Sequence, residues 1–171
     1  MTVETLYKGK FLELKRDGRW EYVSRVNARG AAHIVAVTAD NELLLVEQFR
    51  VPVNARTIEL PAGIIGDESP HRGESIEDSA RRELLEETGY QSASARILHS
   101  GPTAPGLTAE MLYFVEVSAL SKAHDGGGVD GENITVHRVP LTGLRDWLQR
   151  QTQAGRMVDQ RIYAALGLLR I

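Results

Sequence analysis

Three carboxylates fall within five residues in the run Arg82-Glu83-Leu84-Leu85-Glu86-Glu87-Thr88-Gly89-Tyr90. At that density they repel one another unless positive charge sits among them, and a metal ion is the natural source. On a helix turning roughly 100° per residue, Glu83 and Glu87 lie about 40° apart and project to one side, with Glu86 flanking them. Ligands that offer only oxygen select a hard cation, Mg²⁺ or Mn²⁺, over zinc. Arg82, four residues before Glu86, can pair with that carboxylate and hold it in one rotamer. Taken alone, the cluster also suits a solvated, charged helix face.

These side chains need a helix, and the stretch SIEDSARRELLEETGY supplies one: acidic residues open it, Ile76, Ala80, Leu84 and Leu85 lie on one side, and Gly89 closes it. Ahead of it, FLELKR, RWEYVSRV, HIVAVT and ELLLVEQF read as strands joined through the Asp17-Gly18 and Ala39-Asp40-Asn41 turns, as successive antiparallel hairpins. Beyond it, ARILHS and AEMLYFVEVSAL are strands separated by PTAPGLT, and HDGGGVDGEN has the composition of a mobile loop. ITVHRVP is a short strand, and LTGLRDWLQR and DQRIYAALGLLR are amphipathic helices. This order predicts a mixed α/β sandwich.

The 171 residues fit one domain, and the net charge of -3 provides no broad basic field for nucleic acid. The chain has no cysteine, which excludes a disulfide framework, a thiolate zinc site and a cysteine nucleophile and is compatible with a reducing cytoplasm. The opening MTVETLYKGKFLELKR has no signal-peptide apolar stretch, and no run is long enough to span a membrane. A soluble cytoplasmic protein is expected. His33, His71, His99, His124 and His137 show no metal-ligand spacing and receive no role; Tyr90 is expected in the core.

Glu74, seven residues, and then Arg82 to Tyr90 resemble the Nudix box, whose pattern is Gly, five residues, Glu, seven residues, Arg-Glu, an aliphatic, any residue, Glu-Glu, any residue, Gly and an aliphatic. The second half fits, apart from Tyr90 in the last aliphatic place. The first spacing departs: ten residues separate Gly63 from Glu74. The excess is read as a five-residue insertion within residues 64–73, containing some of Ser-Pro-His-Arg-Gly, which a surface loop tolerates because closure entropy grows slowly with length. The box then spans residues 63–90. The resemblance implies a Nudix-type α/β/α sandwich with a mixed sheet and an N-terminal antiparallel strand region.

The likeness extends over nearly the whole chain and is greatest to ADP-ribose pyrophosphatases. Glu59-Leu60-Pro61-Ala62-Gly63 resembles their segment before the box, which implies that the Ala62 carbonyl joins Glu83, Glu86 and Glu87 around the metal. Ala104-Pro105-Gly106 resembles their Ser-Pro-Gly segment, implying substrate contact at Pro105. Trp20 to Arg25 looks like their nucleotide-recognition segment: Trp20 to stack on the purine, Glu21 to accept from its amino group, and Arg25 beside them. Phe11 sits where a second aromatic closes the sandwich in some relatives, often from a partner subunit. Residues 1–30 are therefore expected to serve a homodimer. Arg50 resembles an arginine that reaches the diphosphate or terminal ribose, with Arg56 a weaker candidate.

The implied reaction is Mg²⁺-dependent hydrolysis of ADP-ribose to AMP and ribose 5-phosphate, Mn²⁺ being possible. Glu132, in the acidic loop before the last strand, is the implied general base, with Asp130 as its substitute, and Glu86 and Arg82 complete the catalytic set. The alternatives are another nucleoside diphosphate sugar, such as GDP-mannose, and a non-catalytic ADP-ribose sensor.

Overall fold

The structure, a computed structural model, describes residues 3–66, 73–129 and 131–169. The N-terminal strands β1 (Glu4–Lys8), β2 (Leu12–Asp17) and β3 (Trp20–Arg25) form a three-stranded antiparallel sheet of their own. Two four-stranded sheets follow. One has the order β10-β5-β6-β11, built from β5 (Glu42–Arg50), β6 (Ala55–Glu59), β10 (Thr135–Pro140) and the short β11 (Met157–Val158). The other has the order β7-β4-β9-β8, built from β4 (Ala31–Ala36), β7 (Ala62–Ile64), β8 (Tyr90–Pro102) and β9 (Met111–Lys122). Helix α1 (Ile76–Thr88) packs on one side, and α2 (Leu144–Gln153) and α3 (Gln160–Leu169) on the other.

The layering follows from residues that alternate along the central strands. Ala32, Ile34 and Ala36 of β4 and Leu44 of β5 join Ala80 and Leu84 of α1 in one core. Val35, Leu43 and Leu45 point the other way and join Leu144, Leu148, Ile162 and Leu166 in the second. Strands apolar on both faces are strands covered on both faces, and the α/β/α sandwich is the result.

That two-sided burial corrects the hairpin reading of the fourth and fifth strands. β4 pairs in parallel with β9 and antiparallel with β7, while β5 pairs with β10 and β6; a single bridge, Val37 to Leu43, joins the two at the turn. Each strand needs partners on its own edges, and a long hairpin would have denied them. β8 also starts well before ARILHS and ends just past it, bulging between Ile97 and His99. The proposed insertion Ser-Pro-His-Arg-Gly lies almost wholly outside the described residues.

Leu148 is fully buried between the sheet and α3. Leu148→Ala is expected to cost about 2–5 kcal/mol, because the neighbouring strands cannot collapse into the space left; a urea unfolding curve with an unchanged midpoint would contradict this packing.

Candidate active site

Helix α1 begins where predicted. The Ser75 hydroxyl caps it by accepting from the Asp78 amide at 3.0 Å, and Gly89 ends it in the left-handed region at φ 75°. Ala80 and Leu84 anchor one face in the core, so Glu83, Glu86 and Glu87 are carried on the side toward β7 and the loop that follows β9. Arg82 spans the group: Nη1 reaches Glu83 at 2.9 Å and Glu86 at 3.1 Å, while Nη2 reaches Glu74 at 3.3 Å. The expected pairing with Glu86 is therefore present, and two further carboxylates share the same guanidinium.

Glu87 is buried, and its Oε2 accepts the Ala62 amide at 2.9 Å. Next to it, a Cβ on Gly63 would overlap the Glu83 carboxyl group, so the strand backbone lies directly on that side chain. Burial pushes Glu83 up to about 7, with the Glu86 and Glu132 charges adding to the effect and Arg82 opposing it. Burial likewise pushes Glu87 up to about 8; Glu83 and Glu132 add to it, and the Ala62 amide and Arg50 oppose it. One arginine does not neutralise these acids. Among the described residues no three acidic or histidine side chains converge tightly enough to chelate an ion as they stand. Arg82 draws Glu83 and Glu86 to itself.

The glycine-rich loop read as mobile is instead docked on the end of α1. Gly127 and Gly128 donate to the Glu87 and Glu86 carbonyls at 2.9 and 3.1 Å, and Ala123 donates to that of Gly89 at 2.8 Å. Carbonyls at a helix end lack intrahelical partners, and this loop supplies them. It brings Glu132 close enough for its charge to act on both Glu83 and Glu87, with Glu132 Oε2 accepting from the Val129 amide at 3.2 Å. Asp130 lies outside the described residues.

Beside Ala62 and Gly63 opens a cavity of about 380 Å³ that holds Arg25 and Arg50. Each is tied to an acid: Arg50 to buried Glu59 through Nε at 2.8 Å and Nη2 at 2.6 Å, and Arg25 to Glu110. These bonds hold Glu59 below the usual carboxylate range despite the opposing effect of burial. Arg56 is not at this cavity. It turns to Glu47 at 2.6 Å, a buried acid that also receives His137 and Arg156, because residues 50 and 56 sit in adjacent register pairs and point to opposite faces of the β5–β6 pair.

The remaining predicted contacts lie elsewhere. Trp20, 56% exposed, shares a separate recess of about 340 Å³ with Tyr22 and Pro105. The segment carrying Pro105 is fastened to β3 by the Val23 amide on the Leu107 carbonyl and the Ala109 amide on the Val23 carbonyl, both 2.9 Å. Glu21 pairs with Arg16 at 2.8 Å, and exposed Phe11 lies under the Lys10 ammonium; neither lines either recess.

His33, Glu59, Asp159 and Arg161, given no role in the sequence, also line the main cavity. His33 is buried, and burial followed by the Arg161 charge lowers its pKa to about 3, so it is neutral. Its place at the head of the apolar run HIVAV was the available signal, since a polar ring inside a two-sided strand needs a reason to be there.

Residues 27–160 match the NUDIX domain family. The "Methanol dehydrogenase activator" of Bacillus methanolicus is 30% identical over 174 residues, covering 98% of this chain and 90% of that protein. The "ADP-ribose pyrophosphatase" of Bacillus subtilis (strain 168) is 31% identical over 145 residues, covering 81% and 76%. A "GDP-mannose pyrophosphatase" of Yersinia enterocolitica is 33% identical over 121 residues, covering 66% and 60%. A solved structure described as "Crystal structure of ADP compounds hydrolase" superposes with a TM-score of 0.73 at 24% identity, covering 99% of this chain and 90% of that one.

Proposed function

Because the chain belongs to the NUDIX family and is a pyrophosphatase of that class, we propose that it hydrolyses ADP-ribose to AMP and ribose 5-phosphate with Mg²⁺, or with Mn²⁺ in its place. The observation that carries this reading is the pair of mutually repelling carboxylates, Glu83 and Glu87, held against Ala62 and Gly63 at the rim of a cavity containing arginines. Acids kept this close and this buried suit a divalent cation. Glu83, Glu86, Glu87 and the Ala62 carbonyl would hold it. When bound, the cation supplies positive charge to the diphosphate oxygens and acidifies a water.

The chain's own residues do the rest. Arg82 keeps Glu83 and Glu86 oriented before the cation arrives. Glu132, carried on the docked loop, takes the proton of the attacking water. Arg25 and Arg50 offer their remaining guanidinium donors to the diphosphate, stabilising charge as the bridging bond breaks. Trp20 and Pro105 would take the adenine in their shared recess, with Glu21 accepting from its amino group and Phe11 closing the sandwich from a second subunit. The assignment includes a single domain over residues 1–171 that forms a homodimer through residues 1–30. Tyr7, Phe11 and Leu12, all exposed, support that use of the N-terminal sheet. A cytoplasmic location is also assigned, and no helix among the described residues is long and apolar enough to cross a membrane.

The preference for ADP-ribose over GDP-mannose rests on the larger share of the chain aligned with the ADP-ribose enzyme. Incubation with each sugar nucleotide and Mg²⁺ or Mn²⁺, followed by quantification of AMP and GMP, tests it. AMP is expected to form faster, and equal or faster GMP release would replace the substrate while keeping the chemistry.

A further inference from the structure

The main cavity has a third arginine, and it is the one whose whole Nε–Nη2 edge is unspent among the described residues. Arg161, in the first turn of α3, lines the cavity together with Arg25 and Arg50 and also forms part of a second recess of about 290 Å³ with Thr103 and Gln160. Arg50 spends its Nε–Nη2 edge, the edge that grips an oxyanion with two parallel bonds, on Glu59. Arg161 uses only Nη1, on Asp159 Oδ2 at 2.7 Å; its Nε–Nη2 edge makes no hydrogen bond among the described residues.

The position of Arg161 is fixed by backbone. β11 runs parallel to β6, with Val158 opposite Ile58, and the Asp159 amide continues the pairing on the Ile58 carbonyl at 2.9 Å. That sets Asp159 beside Glu59. Asp159 Oδ1 then accepts the Arg161 amide at 2.8 Å while Oδ2 takes the guanidinium, so one carboxylate starts the helix and aims the side chain. Arg161 is near enough to Glu59 and His33 for its charge to act on both. A guanidinium held this way loses little freedom when it binds an anion.

We propose that Arg161, aimed by Asp159, is a diphosphate anchor of the cavity, gripping two phosphoryl oxygens through its free Nε–Nη2 edge independently of any metal ion. The inference rests on the diphosphate-cleaving reading and adds to it a substrate-binding residue on the last helix. Inorganic pyrophosphate, titrated calorimetrically into the full chain in EDTA, is the probe. Wild-type protein is expected to bind it, and Arg161→Gln to weaken binding by about ten- to a hundredfold, as loss of charged hydrogen bonds would. Arg161→Lys should recover part of the loss, and Arg145→Gln, which removes an exposed charge that does not line the cavity, should cost nothing.

In turnover, Arg161→Gln should raise KM for ADP-ribose more than it lowers kcat. Melting temperatures establish that each variant is folded; should the glutamine variant fail to fold, the lysine variant carries the comparison. Wild-type protein that does not bind pyrophosphate without metal overturns the proposal, as does unchanged binding in the Arg161 variants. Pyrophosphate binding that depends on Arg161 in a protein that cleaves no sugar nucleotide would keep the anchor and remove the enzymatic reading. Cleavage of ADP-ribose with KM unaltered by Arg161→Gln would do the reverse.

Discussion

Glu87→Gln is expected to lower turnover on the order of 10³-fold or more, since it removes a full charge from the group that would hold the cation beside the scissile bond. The same change should make the metal-free protein more stable at alkaline pH. Burial raises Glu87 to about 8 and Glu83 to about 7 from an ordinary 4.5. The folded state therefore binds these protons more tightly than the unfolded chain does. The stability they contribute is complete below about pH 4.5 and is lost as pH rises through 7 and 8. Glutamine is neutral at every pH and can still accept the Ala62 amide, so its variant should lose less stability over that range. Initial rates with ADP-ribose, and melting curves in EDTA at pH 6 and pH 9, read the two effects separately. Near-normal turnover, or a pH dependence of stability identical to that of the wild type, would show that Glu87 is not where the missing positive charge belongs.

Gly63→Ala should reduce turnover by about a hundredfold while barely moving the melting temperature. A methyl group there occupies the space of the Glu83 carboxyl group. The obstructing atoms are the far end of a flexible side chain, so Glu83 gives way and β7 does not. Its pairing through Ala32 opposite Gly63 survives, and Glu83 is left turned away from the cavity. Rates and a thermal melt on one preparation suffice: unimpaired catalysis would contradict the assigned position of Glu83, and a collapsed fold would mean that β7 has no slack.

How much of this could be read from the chain depended on the distance over which each feature is determined. Helix α1, its Gly89 end and the Arg82–Glu86 pair are settled by neighbours within one turn, and all were legible; the Ser75 cap is equally local but was not singled out. The layered α/β/α arrangement was also foreseen. The separation of β4 from β5 was not, because the polar turn between them looks the same whether the strands pair with each other or with others. β6, β7 and β11 are short and owe their existence to partners far along the chain. The predicted ligand contacts were found by likeness one residue at a time. Only Arg25, Arg50 and Ala62 share the main cavity, while Trp20 and Pro105 meet in another. Glu59, Asp159 and Arg161 escaped notice because parallel pairing of β11 with β6, invisible locally, is what places them side by side.

Glu86 and Glu87, the proposed cation ligands, give their main-chain oxygens to Gly128 and Gly127. Fraying of the last helical turn and departure of the loop are therefore a single opening event, and amide hydrogen exchange at residues 127 and 128 should report it with one common protection factor. A ligand that steadies the two acids would slow exchange at glycines it never touches.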